Sequence, residues 1–293
     1  MHEESLTGRI VKGVAGIYDV CVPGHGRFAC PARGLFKKLG QTPIPGDLAV
    51  ITRIDMGKRT AYLHKLLERS NELIRPRAAN VTQALLVFST VSPEVNLLVV
   101  DTMLAYMHSA GIEPVLCVNK TDITPASSIG ELQKLYTPGG YRVFPVSAAK
   151  REGLDSLAGI LPGQVTILAG PSGVGKSSIV NAMFPGLSLE TGELSAKIQR
   201  GKNTTRSCEL FEIGPDTYLA DSPGFTSFDA ALLPNLPKEG LDQFFPEFAD
   251  FLGRCYYGDC LHVSEHDCAV KEQIGEAIPP ARYENYVKLV ARK

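Results

Sequence analysis

Residues 164–178 read QVTILAGPSGVGKSS, an apolar run followed by a glycine-rich loop. The run is typical of a buried β-strand, and Gly170–Ser177 fits the pattern G-x-x-x-x-G-K-[ST] that opens a helix in P-loop proteins. Glycines let the backbone N–H groups of such a loop turn toward phosphate oxygens, and the following helix adds its positive dipole end. The stretch therefore predicts an α/β fold with a phosphate-binding loop.

Each residue of this loop is a candidate nucleotide contact. Lys176 is expected to reach the β- and γ-phosphates, and the Ser177 hydroxyl is expected to ligate Mg²⁺. A chance glycine-rich turn is the alternative, and the flanking strand and helix disfavour it. The predicted contacts are Gly170, Pro171, Ser172, Gly173, Val174, Gly175, Lys176, Ser177 and Ser178.

Apolar runs alternate with helix-like segments around this loop. Strands that alternate with helices at this spacing indicate βαβ units and a parallel sheet. The predicted strands cover residues 83–90, 113–120, 141–148 and 164–170, and the predicted helices cover 95–110 and 153–161.

The two ends of the chain have a different texture. Short apolar runs punctuated by Gly and Pro predict a small β-barrel or sandwich over residues 1–75. From residue 236 the sequence becomes rich in aromatic residues and Cys, and a closing helix is predicted over 280–290. We therefore expect three domains, at residues 1–75, 76–235 and 236–293.

Composition is that of a folded protein with an uneven charge. The chain has 293 residues, of which 44% are hydrophobic and 21% charged, and this excludes wholesale disorder. The net charge is −1, yet residues 1–75 carry 12 Lys/Arg against 7 Asp/Glu. Because small β-barrels often bind nucleic acid on one face, we expect RNA contact there. A solvated polar face is the alternative. The basic residues, which fall mostly in the predicted loops, are Arg33, Lys37, Lys38, Arg53, Lys58, Arg59, Lys65 and Arg69.

Membrane and secretory features are not expected. No apolar run reaches the about 18 residues that suggest a membrane span, and the N-terminal MHEESLTGRI lacks the pattern of a secretory signal. Seven cysteines at irregular spacing argue against a disulfide framework and for a cytoplasmic protein. Without an obvious apolar interface, we expect a monomer. The cysteines expected to be plain core residues are Cys21, Cys30, Cys117 and Cys208.

Two further motifs select the base of the nucleotide. Asn119-Lys120-Thr121-Asp122 matches N-K-x-D, in which the carboxylate accepts hydrogen bonds from the guanine N1–H and 2-amino groups. Ser147-Ala148, at the end of the next predicted strand, matches the partner motif whose backbone N–H contacts guanine O6. Two guanine motifs at consecutive strand ends predict GTP rather than ATP. An ATPase or small-molecule kinase is the rival interpretation.

Candidate residues that sense the γ-phosphate lie after the P-loop. Asp221-Ser222-Pro223-Gly224 fits D-x-x-G, with Asp221 expected to hold Mg²⁺ through water and Gly224 to contact the γ-phosphate. In the segment GKNTTR, Thr204 or Thr205 is expected to reach Mg²⁺ when GTP is bound, and both remain candidates. An ordinary polar loop is the alternative for this segment.

The order of the motifs is unusual. An ordinary GTPase has the P-loop first and N-K-x-D and S-A last, whereas in this chain N-K-x-D and S-A precede the P-loop. The same sheet forms if the usual termini are joined and the chain is opened elsewhere. We therefore predict a circularly permuted GTPase fold.

Four potential metal ligands lie within 14 residues near the C-terminus, at the spacing C-x₄-C-x-H-x₅-C. Three thiolates and an imidazole suit one closed, tetrahedral, structural Zn²⁺ site. Scattered free thiols are the alternative, and His266 could replace His262. The predicted ligands are Cys255, Cys260, His262 and Cys268.

Together, the permuted order, GPSGVGKSS, GKNTTR, DSPGF and the Cys/His spacing resemble one family over nearly the whole chain. It is the small ribosomal subunit-dependent GTPases, the RsgA (or YjeQ) group of bacterial assembly factors. The resemblance implies an OB-fold barrel and a cytoplasmic, GTP- and Mg²⁺-dependent hydrolase that binds the 30S subunit and its 16S rRNA late in maturation. It also implies slow hydrolysis that the subunit stimulates and that promotes release.

Two positions depart from common GTPase patterns. The family loop usually reads G-[RK]-H-T-T, with a His suspected of aiding hydrolysis, whereas this chain has Asn203, which orients a water but cannot accept its proton. Position 225 is Phe, where many GTPases place a water-orienting Gln. The predicted catalytic residues are Lys176, Asn203, Thr204, Thr205 and Gly224. A nucleotide-stabilised RNA-binding protein with little turnover is the alternative function.

Overall fold

The structure of the chain is a computed structural model. It describes residues 5–32, 36, 40–74, 76–187, 208–221, 236 and 240–292. The first five strands close into a barrel. The strand order is β1-β2-β3-β5-β4, and antiparallel pairing of β4 with β1 closes it. Side chains along each strand alternate between the interior and the surface of the barrel. Ala61 and Leu63 of β5 are buried, whereas Tyr62 between them is exposed. The strands are β1 (Ser5–Val14), β2 (Ile17–Val22), β3 (Gly26–Pro31), β4 (Leu48–Asp55) and β5 (Thr60–Leu66).

A short ribbon of β6 (Glu72–Ile74) and β7 (Arg77–Ala79) leads from the barrel to the central sheet. The side chain of Asn80 ties the ribbon to both neighbouring segments, because it accepts from the Ser70 N–H at 2.8 Å and donates to the Gly46 carbonyl at 3.0 Å. The ribbon is thereby held against the segments that flank barrel strands β4 and β5.

The central sheet has six strands in the order β10-β9-β8-β11-β13-β12. All neighbouring pairs are parallel except β12 with β13. Because parallel strands end at a common edge, the segments that follow β8, β9, β10 and β11 meet there, beside the last residue of β13. The strands are β8 (Gln83–Phe88), β9 (Glu113–Val118), β10 (Val143–Pro145), β11 (Val165–Ala169), β12 (Glu209–Gly214) and β13 (Thr217–Asp221).

Helices cover both faces of this sheet. The side chain of Asn96 caps the first of them by accepting from the Leu98 N–H at 3.0 Å. Every residue of β8 is buried, as expected for a strand with helices on both faces. The helices are α1 (Leu97–Ser109), α2 (Ala126–Tyr136), α3 (Leu154–Ala158), α4 (Lys176–Met183) and, in the C-terminal region, α5 (Pro280–Ala291).

The C-terminal region packs three 3₁₀ turns against α5. Phe245, Phe248 and Tyr286 form its aromatic centre, with ring centroids 5.0 to 5.4 Å apart.

None of the helices in the described part of the chain combines the length and the apolar character that crossing a lipid bilayer requires.

The structure confirms the predicted fold class: a barrel, a permuted α/β sheet and a C-terminal region that carries the Cys/His cluster. The predicted strand at 141–148 is shorter than expected, because only Val143–Pro145 pair with β9. Cys21, Cys30, Cys117 and Cys208 are buried as predicted. Asp101 of α1 is buried although its side chain is charged.

Candidate functional site

The loop between β11 and α4 requires glycine at two positions. Gly170 has a φ of 139°, and a Cβ there would lie 1.9 Å from the carbonyl oxygen of Val87. Gly175 has a φ of 92°, and a Cβ there would lie 2.3 Å from Nδ2 of Asn119. The glycines therefore let the loop lie directly against β8 and against the N-K-x-D segment.

Lys176 and Ser177 occupy the first turn of α4, where the helix dipole is positive. The Lys176 ammonium donates to the carbonyl oxygens of Gly170 and Pro171, both at 2.7 Å. The cation therefore sits over the loop that the sequence predicts to bind phosphate. Ser177 is partly exposed in the same turn.

Asn119 joins the two halves of the predicted nucleotide site. Its buried side chain donates through Nδ2 to the Val174 carbonyl at 2.8 Å and accepts through Oδ1 from the Ala148 N–H at 3.1 Å. Lys120 donates to the carbonyls of Gly173, at 2.8 Å, and of Ser92. The loops after β9, β10 and β11 thus form one hydrogen-bonded unit.

The carboxylate of Asp122 is oriented by Ser147. The Ser147 hydroxyl donates to Oδ1 of Asp122 at 2.7 Å, and this hydrogen bond lowers the pKa of Asp122. Ser147 Oγ also accepts from the Lys150 N–H at 3.1 Å. The N–H of Thr121 donates to the Val146 carbonyl at 3.2 Å. Asp122 is therefore held as an ionised acceptor at the edge of the site.

The predicted γ-phosphate sensors are only partly described. Asp221 is the last residue of β13, and its backbone ends at the same sheet edge as the P-loop strand. The other residues of this prediction, Asn203, Thr204, Thr205, Gly224 and Phe225, lie outside the described residues.

Cys255, Cys260, His262 and Cys268 form a cluster whose ligand atoms all lie within 4.8 Å of one another. The Sγ atoms of Cys255 and Cys268 are 3.8 Å apart, and Nδ1 of His262 lies 3.3 to 3.5 Å from the three sulfurs. A tetrahedral zinc ion separates two sulfur ligands by about 3.8 Å and sulfur from nitrogen by about 3.6 Å. The residues therefore fit Zn²⁺, and His262 rather than His266 belongs to the cluster.

Sequence reasoning missed the groups that support this cluster. Nε2 of His262 lies 3.2 Å from a carboxylate oxygen of Asp242, the arrangement that commonly orients a metal-binding imidazole. The Glu265 carboxylate accepts from the N–H groups of Leu261, Val263 and Ser264 at 2.9 to 3.0 Å. Asp242 lies 20 residues from His262 in a 3₁₀ turn, so only the fold brings them together.

Comparison with known proteins agrees with this geometry. The family model described as RsgA GTPase matches residues 66–231, and the model described as RsgA N-terminal domain matches residues 7–60. The chain belongs to the RsgA family of GTPases. As a member of that family it is a GTP hydrolase.

Two relatives named Small ribosomal subunit biogenesis GTPase RsgA illustrate the similarity. The protein from Caldanaerobacter subterraneus subsp. tengcongensis is 40% identical, covering 98% of this chain and 95% of its own. That from Geobacillus thermodenitrificans is 41% identical, covering 97% and 96%.

Two solved structures share the whole fold with this RsgA family member. YjeQ from Thermotoga maritima has a TM-score of 0.85 at 31% identity, covering 99% of this chain and 100% of that one. YloQ, described as a circularly permuted GTPase, has a TM-score of 0.80 at 32% identity, covering 99% and 95%. The permuted order predicted from the motifs is therefore the fold of the RsgA family.

Asp101 of α1 anchors the C-terminal region to the GTPase sheet. The Arg282 guanidinium donates to the carboxylates of Asp101 and Glu247, both at 2.6 Å, and Asn285 donates to Asp101 at 2.7 Å. Burial lowers the pKa of Arg282, but the two carboxylates outweigh burial and the pKa is raised. The only indication of this contact in the sequence is Asp101 itself, a charged residue within an apolar run.

Proposed function

We propose that this chain hydrolyses GTP as a late assembly factor of the 30S ribosomal subunit, working as a cytoplasmic monomer that contacts 16S rRNA. In this proposal the subunit stimulates hydrolysis, and hydrolysis promotes release. The observation that carries guanine recognition is the Asn119 side chain, which joins the P-loop to Ala148. The names of the curated relatives support the ribosomal partner.

Guanine is recognised by Asp122 and Ala148. The ionised Asp122 carboxylate accepts from the guanine N1–H and 2-amino groups, and Ser147 holds it in the required orientation. Adenine presents an acceptor at N1 and is rejected. The Ala148 N–H donates to Oδ1 of Asn119 at 3.1 Å. It contacts guanine O6 by dividing this donor between the two oxygens or by exchanging Oδ1 for O6.

The phosphates are held by loop amides, Lys176 and Ser177. Nucleotide binding exchanges the two carbonyl acceptors of Lys176 for β- and γ-phosphate oxygens. Ser177, Asp221 and one of Thr204 and Thr205 hold Mg²⁺, which when bound offsets the charge that develops on the phosphates. The sheet edge brings Ser177 and the end of β13 to the same side.

Slow intrinsic hydrolysis follows from the residues available to position water. Asn203 orients the attacking water without accepting its proton, and Phe225 cannot orient water at all. Phosphoryl transfer depends mainly on positioning and charge stabilisation, so ordering of residues 203–205 by a partner is sufficient to raise the rate. The 30S subunit has this role in the proposal.

The barrel supplies the RNA-binding face. Exposed Tyr62 on β5 lies beside Arg53 of β4, whose guanidinium carbon is 5.8 Å from the ring centroid, and exposed Lys58 and Arg59 occupy the loop between these strands. A ring on which bases stack, flanked by cations, suits single-stranded RNA. Arg69 was among the basic residues expected to contact RNA. It pairs instead with Asp47 at 2.6 Å and has a structural role.

The Cys/His cluster is proposed to hold one structural Zn²⁺. All four ligands come from the protein, which leaves no open position for catalysis. The division into domains at residues 75 and 235 is retained as part of the same proposal.

The test is phosphate release from GTP and from ATP, with and without purified 30S subunits. We expect GTP-specific turnover that rises many-fold with the subunit. Flat GTP turnover together with retained 30S binding would favour the alternative, an RNA-binding protein that uses nucleotide for shape. Absence of 30S binding would remove the ribosomal partner.

Asp122→Asn tests the base assignment independently of the partner. The amide replaces an acceptor by a donor, so we expect loss of GTP binding and gain of affinity for xanthosine triphosphate. Asp155→Asn, on the exposed side of α3, is the matched control, and its nucleotide affinities should equal those of the wild type.

A further inference from the structure

Two tyrosines project from the loop between Cys255 and Cys260. Tyr256 is 77% exposed and Tyr257 48% exposed. Their ring centroids are 5.0 Å apart and the rings meet edge to face at 83°. Within the described part of the chain, neither hydroxyl has a hydrogen-bond partner. Exposed tyrosine side chains of this kind are enriched at the energetically important positions of binding surfaces.

The loop that carries the tyrosines is held in place before any partner arrives. Cys255 and Cys260, which bound it, belong to the metal cluster. The Tyr256 N–H donates to the Asp267 carbonyl at 3.2 Å, and the Cys260 N–H donates to the Tyr257 carbonyl at 3.4 Å. A partner therefore meets a preorganised surface and loses less conformational entropy on binding.

The surrounding charge distinguishes this surface from the barrel face. The exposed charged side chains of residues 250–267 are Asp250, Arg254, Asp259 and Asp267, which is three carboxylates against one guanidinium. Carboxylates repel phosphate groups and attract ammonium and guanidinium groups. Tyrosine rings also bind such cations over their faces. We define Tyr256, Tyr257, Asp259 and Asp267 as the tyrosine–aspartate surface.

We propose that the tyrosine–aspartate surface binds an arginine- or lysine-rich protein segment. The inference rests on the proposed function to the extent that a ribosomal particle offers basic protein segments beside its RNA. The rings contact the cationic side chains, and the two carboxylates pair with neighbouring ones. The barrel face, with its cations around Tyr62, binds the RNA in this proposal. The two exposed tyrosine sites therefore bind different partners: the barrel face binds RNA, and the tyrosine–aspartate surface binds basic protein.

The test uses the full-length, zinc-loaded protein and two fluorescent probes, a (Arg-Gly-Lys-Gly)₃ peptide and a single-stranded U₁₂ RNA. We expect wild-type protein to bind the peptide, and Tyr256→Ala with Tyr257→Ala to weaken that binding about tenfold without changing RNA affinity. Tyr256→Phe with Tyr257→Phe should retain it, because the rings remain. Asp259→Asn with Asp267→Asn should weaken it about threefold and more at low salt.

Tyr62→Ala is the matched control: it should weaken U₁₂ binding and leave the peptide unchanged. No peptide binding by the wild type, or equal binding by the Ala double variant, would overturn the proposal. Loss of U₁₂ rather than peptide binding in that variant would identify a base-stacking surface instead. Zinc content of each variant reports whether the cluster is intact. Co-sedimentation of wild-type protein with 30S subunits tests the proposed function separately from the peptide result.

Discussion

The GTPase sheet is joined to its two neighbours by contacts of opposite character. On the C-terminal side, the joint is Arg282 with Asp101 and Glu247, and all three side chains are at most 1% exposed. On the barrel side, Lys12 pairs with Glu209 at 2.7 Å, with side-chain exposures of 39% and 29%. One joint is a buried charge network, and the ion pair of the other is partly exposed to solvent.

The barrel joint contains two further contacts, both on the β12–β13 hairpin. The Cys21 thiol donates to the Glu212 carboxylate at 3.0 Å, and the Arg9 guanidinium carbon lies 5.3 Å from the Tyr218 ring centroid. This hairpin follows the GKNTTR segment and precedes the D-x-x-G segment in the chain. The barrel joint therefore combines a partly exposed ion pair with the buried side chains of Cys21 and Tyr218, whereas the C-terminal joint depends on buried charges that are costly to leave unpaired.

Removing the proposed zinc ion should have the largest effect on stability, and only on the C-terminal side. Binding of structural zinc is coupled to folding, so chelation with EDTA should unfold residues 240–292 and leave the barrel intact. Hydrogen exchange should show loss of protection in α5 and unchanged protection in β1 to β5. Added ZnCl₂ should restore the signal. Equal loss of protection in the barrel would show that the joints are not independent.

Asp101→Ala should be the most damaging single change at the C-terminal joint. It leaves the Arg282 guanidinium buried with one carboxylate fewer, at a cost of about 3 kcal/mol in the free energy of unfolding. Urea unfolding measures this loss.

Asp101→Leu with Glu247→Leu and Arg282→Met is the companion of that change, because Glu247 is the second buried partner of Arg282. Removing all three charges should restore much of the stability, because no buried ion is left without its partner. A triple variant less stable than Asp101→Ala would contradict the account.

We expect His108 to make the stability of the C-terminal joint sensitive to pH. Burial, followed by the Arg282 charge, lowers the pKa of His108, whose ring Nε2 lies 3.1 Å from the Tyr141 hydroxyl. Below the ordinary value of 6.5 the unfolded chain takes up a proton that the folded protein does not, so stability is retained above this pH and falls below it. Glu247 opposes the shift in part.

The comparison of wild type with His108→Gln isolates this effect. Urea midpoints at pH 7.5 and about pH 5.5 should differ less in the variant. Acid titration of the metal ligands is common to both proteins and cancels in the difference. Identical pH dependence in the two would exclude His108 as the group responsible.

Lys12→Met should have the smallest effect. A half-exposed ion pair contributes about 0–1 kcal/mol, and less at high salt. Urea unfolding at low and high ionic strength measures it. A loss above about 2 kcal/mol would make the two joints alike.

Local spacing was enough for the contiguous parts of the candidate site. Gly170–Ser177 and the Cys/His cluster use residues close in the chain, so backbone geometry alone brings their atoms together. The strand–helix alternation likewise predicted the central sheet. The strand predicted over residues 141–148 is longer than the observed β10, because only Val143–Pro145 pair with β9.

Long-range packing decided the rest. Asn119 meets Val174 across 55 positions, and Arg282 meets Asp101 across 181, distances over which spacing carries no geometric information. The sequence by itself determined which loop, N-K-x-D segment and Cys/His cluster are the candidates for phosphate, base and metal binding. Only the tertiary structure decided that Asp101 is buried, because a charge enters a core when a partner from elsewhere in the chain is packed against it.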